Sequence, residues 1–183
     1  MGPMAESEQI RRRIVMLARA EIGVREVGRN NRGARVEEYQ RAAGARPGSP
    51  WCACFAAWVL SHIQAVPIPR VTSGVARTWR GWPPTWRLAP EHARAVLPGD
   101  LACYARTTTT TPARDAARIR GGAILLAHMG VVVACDADGY DTVEGNVQVS
   151  RERPRGGVAV RRHAWTEPGL VGWLQTIKTE AEA

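Results

Sequence analysis

The chain has 183 residues and a formal net charge of +8, and its positive charge is almost wholly arginine, Lys178 being the one lysine. That length suits a single domain spanning residues 1–183, with its core over about 7–176, large enough to need no disulfide or metal staples. No apolar run approaches a membrane span, and the N-terminus lacks the charged, apolar and small-residue order of a secretory signal. The expectation is therefore a soluble product made in the cytoplasm, with Met1-Gly2-Pro3-Met4 read in part as an expression scar.

Ser7 through Glu21 predicts an amphipathic helix, with Ile10, Ile14, Leu17 and Ala18 on one stripe and arginines, Arg11-Arg12-Arg13 among them, on a solvated face. Asn30-Asn31-Arg32-Gly33 punctuates, and Ala34 through Ala43 predicts a second helix carrying Val36, Tyr39 and Gln40. The third, from Cys52 to about Gln64, is apolar nearly all round and so is expected to be buried on every side. A short fourth helix with Val75 and Trp79 follows, capped by Ser73, and Gly81-Trp82-Pro83-Pro84 forces a loop.

The second half changes character. Strands are predicted at Leu101–Ala105, Ala123–Cys135, Tyr140–Val147, Gly157–His163 and Leu170–Gln175, with the threonine run Thr107–Thr111 and Pro112 as a loop. Helices first and strands afterwards indicate an α+β domain with an antiparallel sheet.

Chemistry concentrates at Cys52, which follows the breaker run Pro47-Gly48-Ser49-Pro50 and opens the third helix. Unpaired N–H groups and the positive end of the helix dipole favour a thiolate there, and the same N–H groups can hold an oxyanion. A thiolate needs a base and an orienting group. His128 opens the run Met129-Gly130-Val131-Val132-Val133-Ala134, and Glu144 and Asn146 share one face of the next strand. A two-residue loop at Asp138-Gly139 would pair Val133 with Glu144 and turn the acid away from His128. An odd-numbered loop or a bulge near Ala137–Gly139 is therefore expected.

The other cysteines read as buried, inert thiols. Cys54 lies about 200° around the helix from Cys52 at ~100° per residue, and Cys135, an odd number of positions from His128, is expected to face away from it. Cys103 is isolated on a strand. Neither zinc spacing nor an EF-hand pattern in Asp136-Ala137-Asp138-Gly139-Tyr140-Asp141 is met, so no metal is expected. No phosphate loop, dinucleotide fingerprint or internal repeat implies a cofactor. The basic balance favours anionic polymers, but neither a zinc finger nor a helix-turn-helix pattern selects nucleic acid among them.

A helix led by cysteine, then a sheet presenting histidine and an acid or amide, is the order of the papain-like cysteine hydrolases. Asn30-Asn31-Arg32-Gly33, Pro50-Trp51-Cys52-Ala53, Pro98-Gly99-Asp100-Leu101, Ala127-His128-Met129-Gly130 and Val143-Glu144-Gly145-Asn146 together resemble the CHAP family, the cysteine, histidine-dependent amidohydrolases and peptidases, over about residues 20–175. The resemblance implies a papain-like fold of CHAP or NlpC type, with N-terminal helices packed on an antiparallel sheet. It makes Cys52 the nucleophile, His128 the general base and later acid, and Glu144 the group orienting the imidazole, with Asn146 supporting the same network; which of Glu144 and Asn146 orients the ring stays open. Ala127 departs from the glycine frequent before the histidine, and the acidic calcium cluster of some relatives is not evident upstream of Cys52.

What the resemblance implies in function is a peptidoglycan hydrolase cutting an amide bond, as an N-acetylmuramoyl-L-alanine amidase or a stem-peptide or cross-bridge endopeptidase. Such a protein acts as a monomer in the periplasm or cell wall after release or secretion. It would be a phage lysin or an antibacterial effector with a neutralising immunity protein. Two other readings stand beside it: an intracellular cysteine peptidase or amidase acting on protein or small conjugates, and a non-catalytic wall-binding module.

Overall fold

The computed structural model describes residues 3–64, 67–106, 111–149 and 156–178. Among these residues it is an α+β domain in which five α-helices and two short 3-10 helices accompany one six-stranded, wholly antiparallel sheet. The helices are α1 (Pro3–Ala20), α2 (Ala34–Ala42), α3 (Cys52–Ser61), α4 (Val75–Gly81) and α5 (Pro112–Arg120). The strands are β1 (Arg87–Leu88), β2 (Leu101–Ala105), β3 (Ala127–Cys135), β4 (Gly139–Gln148), β5 (Gly156–Ala164) and β6 (Leu170–Leu174), in the order β1-β6-β2-β3-β4-β5.

Alternation along the strands divides two cores, one on each face of the sheet. Cys103, Met129, Val131, Val133 and Val143 face the helices and join Ile10, Ile14, Phe55 and Val59 in the larger one. Ala102, Tyr104, Val132, Tyr140 and Trp173 form a smaller, aromatic core on the other face, with Val96.

Helix α3 has no polar side to offer water: eight of its ten residues are buried, from Cys52 to Leu60. It seats on β4 at Gly145, where an added Cβ would lie 2.7 Å from both Phe55 Cβ and the Trp51 ring. A side chain at this position would push the first turn of α3 off the sheet. Gly145→Ala is expected to cost about 1–3 kcal/mol of stability by overpacking, read as a lowered urea midpoint with little change in slope.

Several expectations need correction. α3 stops at Ser61 rather than Gln64, and β3 begins at Ala127 rather than Ala123. Ser73 is not the cap of α4; the N-cap is Gly74, without a side-chain cap bond, and Thr72 and Thr78 share the local hydroxyl bonds, their Oγ1 atoms 2.9 Å apart. Pro112 does not lie in a loop. It starts α5, because proline at the first helical turn gives up an N–H that would have no partner anyway. Of the threonine run, residues 107–110 lie outside the described residues.

A bulge does restore the parity of the β3–β4 hairpin, but it lies within β3 rather than near Ala137–Gly139. The β3–β4 turn is the two-residue Ala137-Asp138, closed by the Asp136 N–H to the Gly139 carbonyl at 3.0 Å, and the Asp136 carboxylate accepts the N–H groups of Asp138 and Gly139. Its register alone would put Glu144 on the wrong face. The ladder shifts between Val132 and Ala134, so that Val131 pairs with Val143 and Glu144 returns to the side of His128. The bulge also turns over the residues beyond it. Cys135 is therefore half-buried and packs against the aromatic core, on the same side of the sheet as His128, rather than facing away.

Candidate active site

Cys52 is the first residue of α3 and is 6% exposed. The chain before it is fixed by Trp51, whose indole N–H donates to Glu26 Oε1 at 2.9 Å, and whose carbonyl accepts the Phe55 N–H to start the helix. His128 sits one residue into β3 opposite Tyr104, and is therefore on the aromatic face. The β3–β4 ladder runs only as far as Val131↔Val143. His128 and Glu144 stand where the two strands part, beside the Gly145 seat of α3.

The imidazole is held between an acid and a thiol. His128 Nε2 and Glu144 Oε2 are 2.7 Å apart. Nδ1 is buried and makes no hydrogen bond, and the Cys52 thiol lies close enough to this ring for each group's charge to favour that of the other. Gly130 makes room for the acid: a Cβ there would come within 2.7 Å of Glu144 Cγ.

Burial opposes ionisation of Cys52, but the charge and hydrogen bond of His128, the backbone N–H of Ala53 and the charge of Arg106 together bring the thiol below its ordinary value. Burial likewise opposes a charged imidazole at His128, and the thiolate and Glu144 overcome it, raising the ring to about 10. Glu144 is only 2% exposed, and despite that burial its bonds to His128, His163 and Thr142 hold the carboxyl well below the usual carboxylate range. All three shifts run in the direction that favours a thiolate–imidazolium pair backed by a carboxylate.

The remaining thiols go the other way. Burial raises Cys54 to about 12 and Cys135 to about 11, and raises Cys103 further still. Cys54 points back toward the Pro50 carbonyl, 3.7 Å from its sulfur, away from the imidazole as its helical position requires.

Asn146 does not join this network. It lies in a second bulge, between Glu144 and Val147, with φ 59°, and makes no hydrogen bond to His128 or Glu144. Its side-chain oxygen stands over Gly156, where an added Cβ would meet it at 2.9 Å and Glu26 Oε1 at 2.5 Å. The bulge breaks the alternation on which a shared face for Glu144 and Asn146 was expected, so the acid alone orients the ring.

Two further residues of the site are not among those that the sequence singles out. Thr142 donates its hydroxyl to Glu144 Oε1 at 2.7 Å, and His163 Nε2 lies 2.7 Å from the same oxygen. Thr142 is two positions before Glu144 on one strand and could have been found by alternation. His163 arrives from β5 through the pairing Tyr140↔His163, which only a known register discloses.

Among the described residues no group of three or more His, Cys, Asp or Glu side chains is disposed to hold a metal ion. His128, Glu144 and His163 point their ring nitrogens and carboxylate oxygens at one another rather than at a common centre. No helix among the described residues is long and apolar enough to cross a membrane. Compared with models of known protein families, with curated proteins and with solved structures, the chain matches none.

Proposed function

We propose that the protein is a cysteine amidohydrolase of papain-like, CHAP type that cuts an amide bond of peptidoglycan. One observation carries the reading: a buried imidazole is paired with a carboxylate through Nε2, keeps Nδ1 unpaired, and lies beside a helix-leading thiol of lowered proton affinity. A structural histidine needs no such thiol, and a structural cysteine in an apolar site is shifted the opposite way, as Cys54 and Cys103 are.

In this mechanism Cys52 Sγ attacks the amide carbonyl, and the oxyanion is held by backbone N–H groups at the start of α3. His128 passes its proton to the leaving amine, giving a thioester on Cys52. It then takes a proton from water, and the resulting hydroxide cleaves the thioester to free the acid and restore the pair. Glu144 keeps the ring in the orientation both steps need and stabilises its charge. The +8 surface supports a polyanionic substrate such as a cell wall. Acting there as a phage lysin or as a secreted effector with an immunity partner belongs to the same proposal.

Two measurements test it. Purified sacculi incubated with the protein should release muropeptides carrying new amino groups, seen by mass spectrometry. Limiting iodoacetamide near pH 6 should label Cys52 alone and abolish that release in parallel, since the other three thiols are raised well above that pH. Equal labelling of Cys54 or Cys103, or undiminished release after Cys52 is labelled, would end the proposal. Cleavage of protein substrates with intact sacculi would move the enzyme to another substrate class.

A further inference from the structure

Behind Glu144 lies a second imidazole that the mechanism above does not use. His163 Nε2 is 2.7 Å from Glu144 Oε1 and 3.1 Å from Thr142 Oγ1, while Nδ1 is 2.7 Å from Glu167 Oε2. The ring lies against Tyr104, centroids 4.5 Å apart and 24° between planes, and against Tyr140 at 5.4 Å and 23°. Its side chain is 13% exposed.

Carboxylate oxygens at 2.7 Å from both ring nitrogens leave neither nitrogen free to be an acceptor. Two acid partners require two N–H donors, and hence a charged ring. We propose that His163 is a positioning residue, kept as an imidazolium between Glu144 and Glu167, and that it sets how firmly Glu144 holds the proton on His128. The proposal rests on the reading of Cys52, His128 and Glu144 as the reacting group and its support.

Two effects follow from the geometry. Together with the Thr142 hydroxyl, His163 occupies Oε1 and so aims Oε2 at His128 Nε2. Its positive charge also offsets part of the Glu144 charge. Without that offset, His128 would keep its proton more tightly and would give it less readily to a leaving amine. Glu167 maintains the arrangement from the outer side. Burial works against the charged ring, but the bonds to Glu144 and Glu167 raise it to about 9. The remaining groups facing the ring are neutral: the Tyr104 and Tyr140 phenols are held protonated, chiefly by burial.

The test titrates histidine-labelled whole protein by NMR, alongside sacculus hydrolysis. His163→Gln keeps an N–H donor but removes the charge. Its His128 midpoint is expected to rise by about one pH unit, which is a tenfold gain in proton affinity. The rate of hydrolysis at saturating sacculi is expected to fall about tenfold, with the concentration dependence little changed. A purely structural ring would leave the His128 midpoint in place, so a midpoint that stays or falls in folded His163→Gln overturns the proposal.

Glu167→Gln provides a second reading should His163→Gln not fold, because the Glu167 side chain is 38% exposed. Here the His163 midpoint itself should fall by about one unit, and an unmoved midpoint again overturns the proposal. Failure of the underlying reading looks different: wild-type Cys52 would then show no preferential alkylation, whatever the histidines do.

Discussion

Cys52→Ala is expected to lower sacculus hydrolysis by about 10⁴-fold or more, and His128→Ala by a similar factor. The double variant is expected to be scarcely worse than either single one. The thiol and imidazole act as a unit: His128 lowers the proton affinity of Cys52, and the thiolate raises that of His128. Once either is gone, the other has nothing left to contribute to the covalent step. Both changes should leave the fold in place, Cys52 replaced by a residue the site already accommodates at Ala53 and Ala56. The measurement is single-turnover release of new amino groups, with circular dichroism as the control for folding. Multiplicative losses in the double variant, or substantial turnover by Cys52→Ala, would mean that the two side chains do not act together.

The largest loss of stability is expected at Asp100. Its side chain is wholly buried and accepts from Arg11 Nη1 at 2.7 Å, from the Leu97 N–H at 3.0 Å and from the Thr176 N–H at 3.2 Å. Arg11 reaches on to the Ile177 carbonyl at 2.7 Å. One carboxylate thus ties α1, the approach to β2 and the end of the described chain. Asp100→Ala leaves an arginine that is 11% exposed without its counter-ion and two N–H groups without an acceptor. Breaking a buried pair from one side costs about 3–5 kcal/mol, a large share of the ~5–15 kcal/mol that holds a domain folded. The variant should show an unfolding free energy, from urea midpoint and slope, lowered by that amount, and Asp100→Asn, which retains an acceptor, a smaller loss. Midpoints equal to wild type would show that the buried pair does not brace these three segments.

The sequence was most informative where local physics decides. Leu101–Ala105 is bounded by the Pro98-Gly99-Asp100 turn and is a strand over those five residues. The all-apolar stretch from Cys52 is a helix buried on nearly every side. The first two side chains of the site were also legible, because a thiol at a helix start and a histidine at a strand start advertise themselves. What escaped depends on long-range pairing. His163 is one more basic side chain in Val160-Arg161-Arg162-His163 until β5 is set against β4. Asn146 aligns with Glu144 only under strict alternation, which the bulge and its own positive φ break. Asp100 stands in Pro98-Gly99-Asp100-Leu101, but only the arrival of Arg11 and Thr176 shows what its carboxylate does. Parity demanded a bulge in the β3–β4 hairpin; its place, at Val133 rather than beside the turn, was not encoded in any local signal.

Gly145 carries a consequence for the life of the protein before it acts. The sulfur, the imidazole and the acid lie on separate stretches of chain, and the glycine seat is where the helix bearing the first meets the strand bearing the third. In the unfolded polypeptide Cys52 is an ordinary cysteine, mostly protonated at neutral pH. The lowered proton affinity thus belongs to the docked helix and sheet rather than to the residue alone. Until the helix rests on the sheet the thiol keeps its ordinary proton affinity, and the shift that the proposed attack on amides needs, and that would also expose the sulfur to oxidants, comes only with the fold.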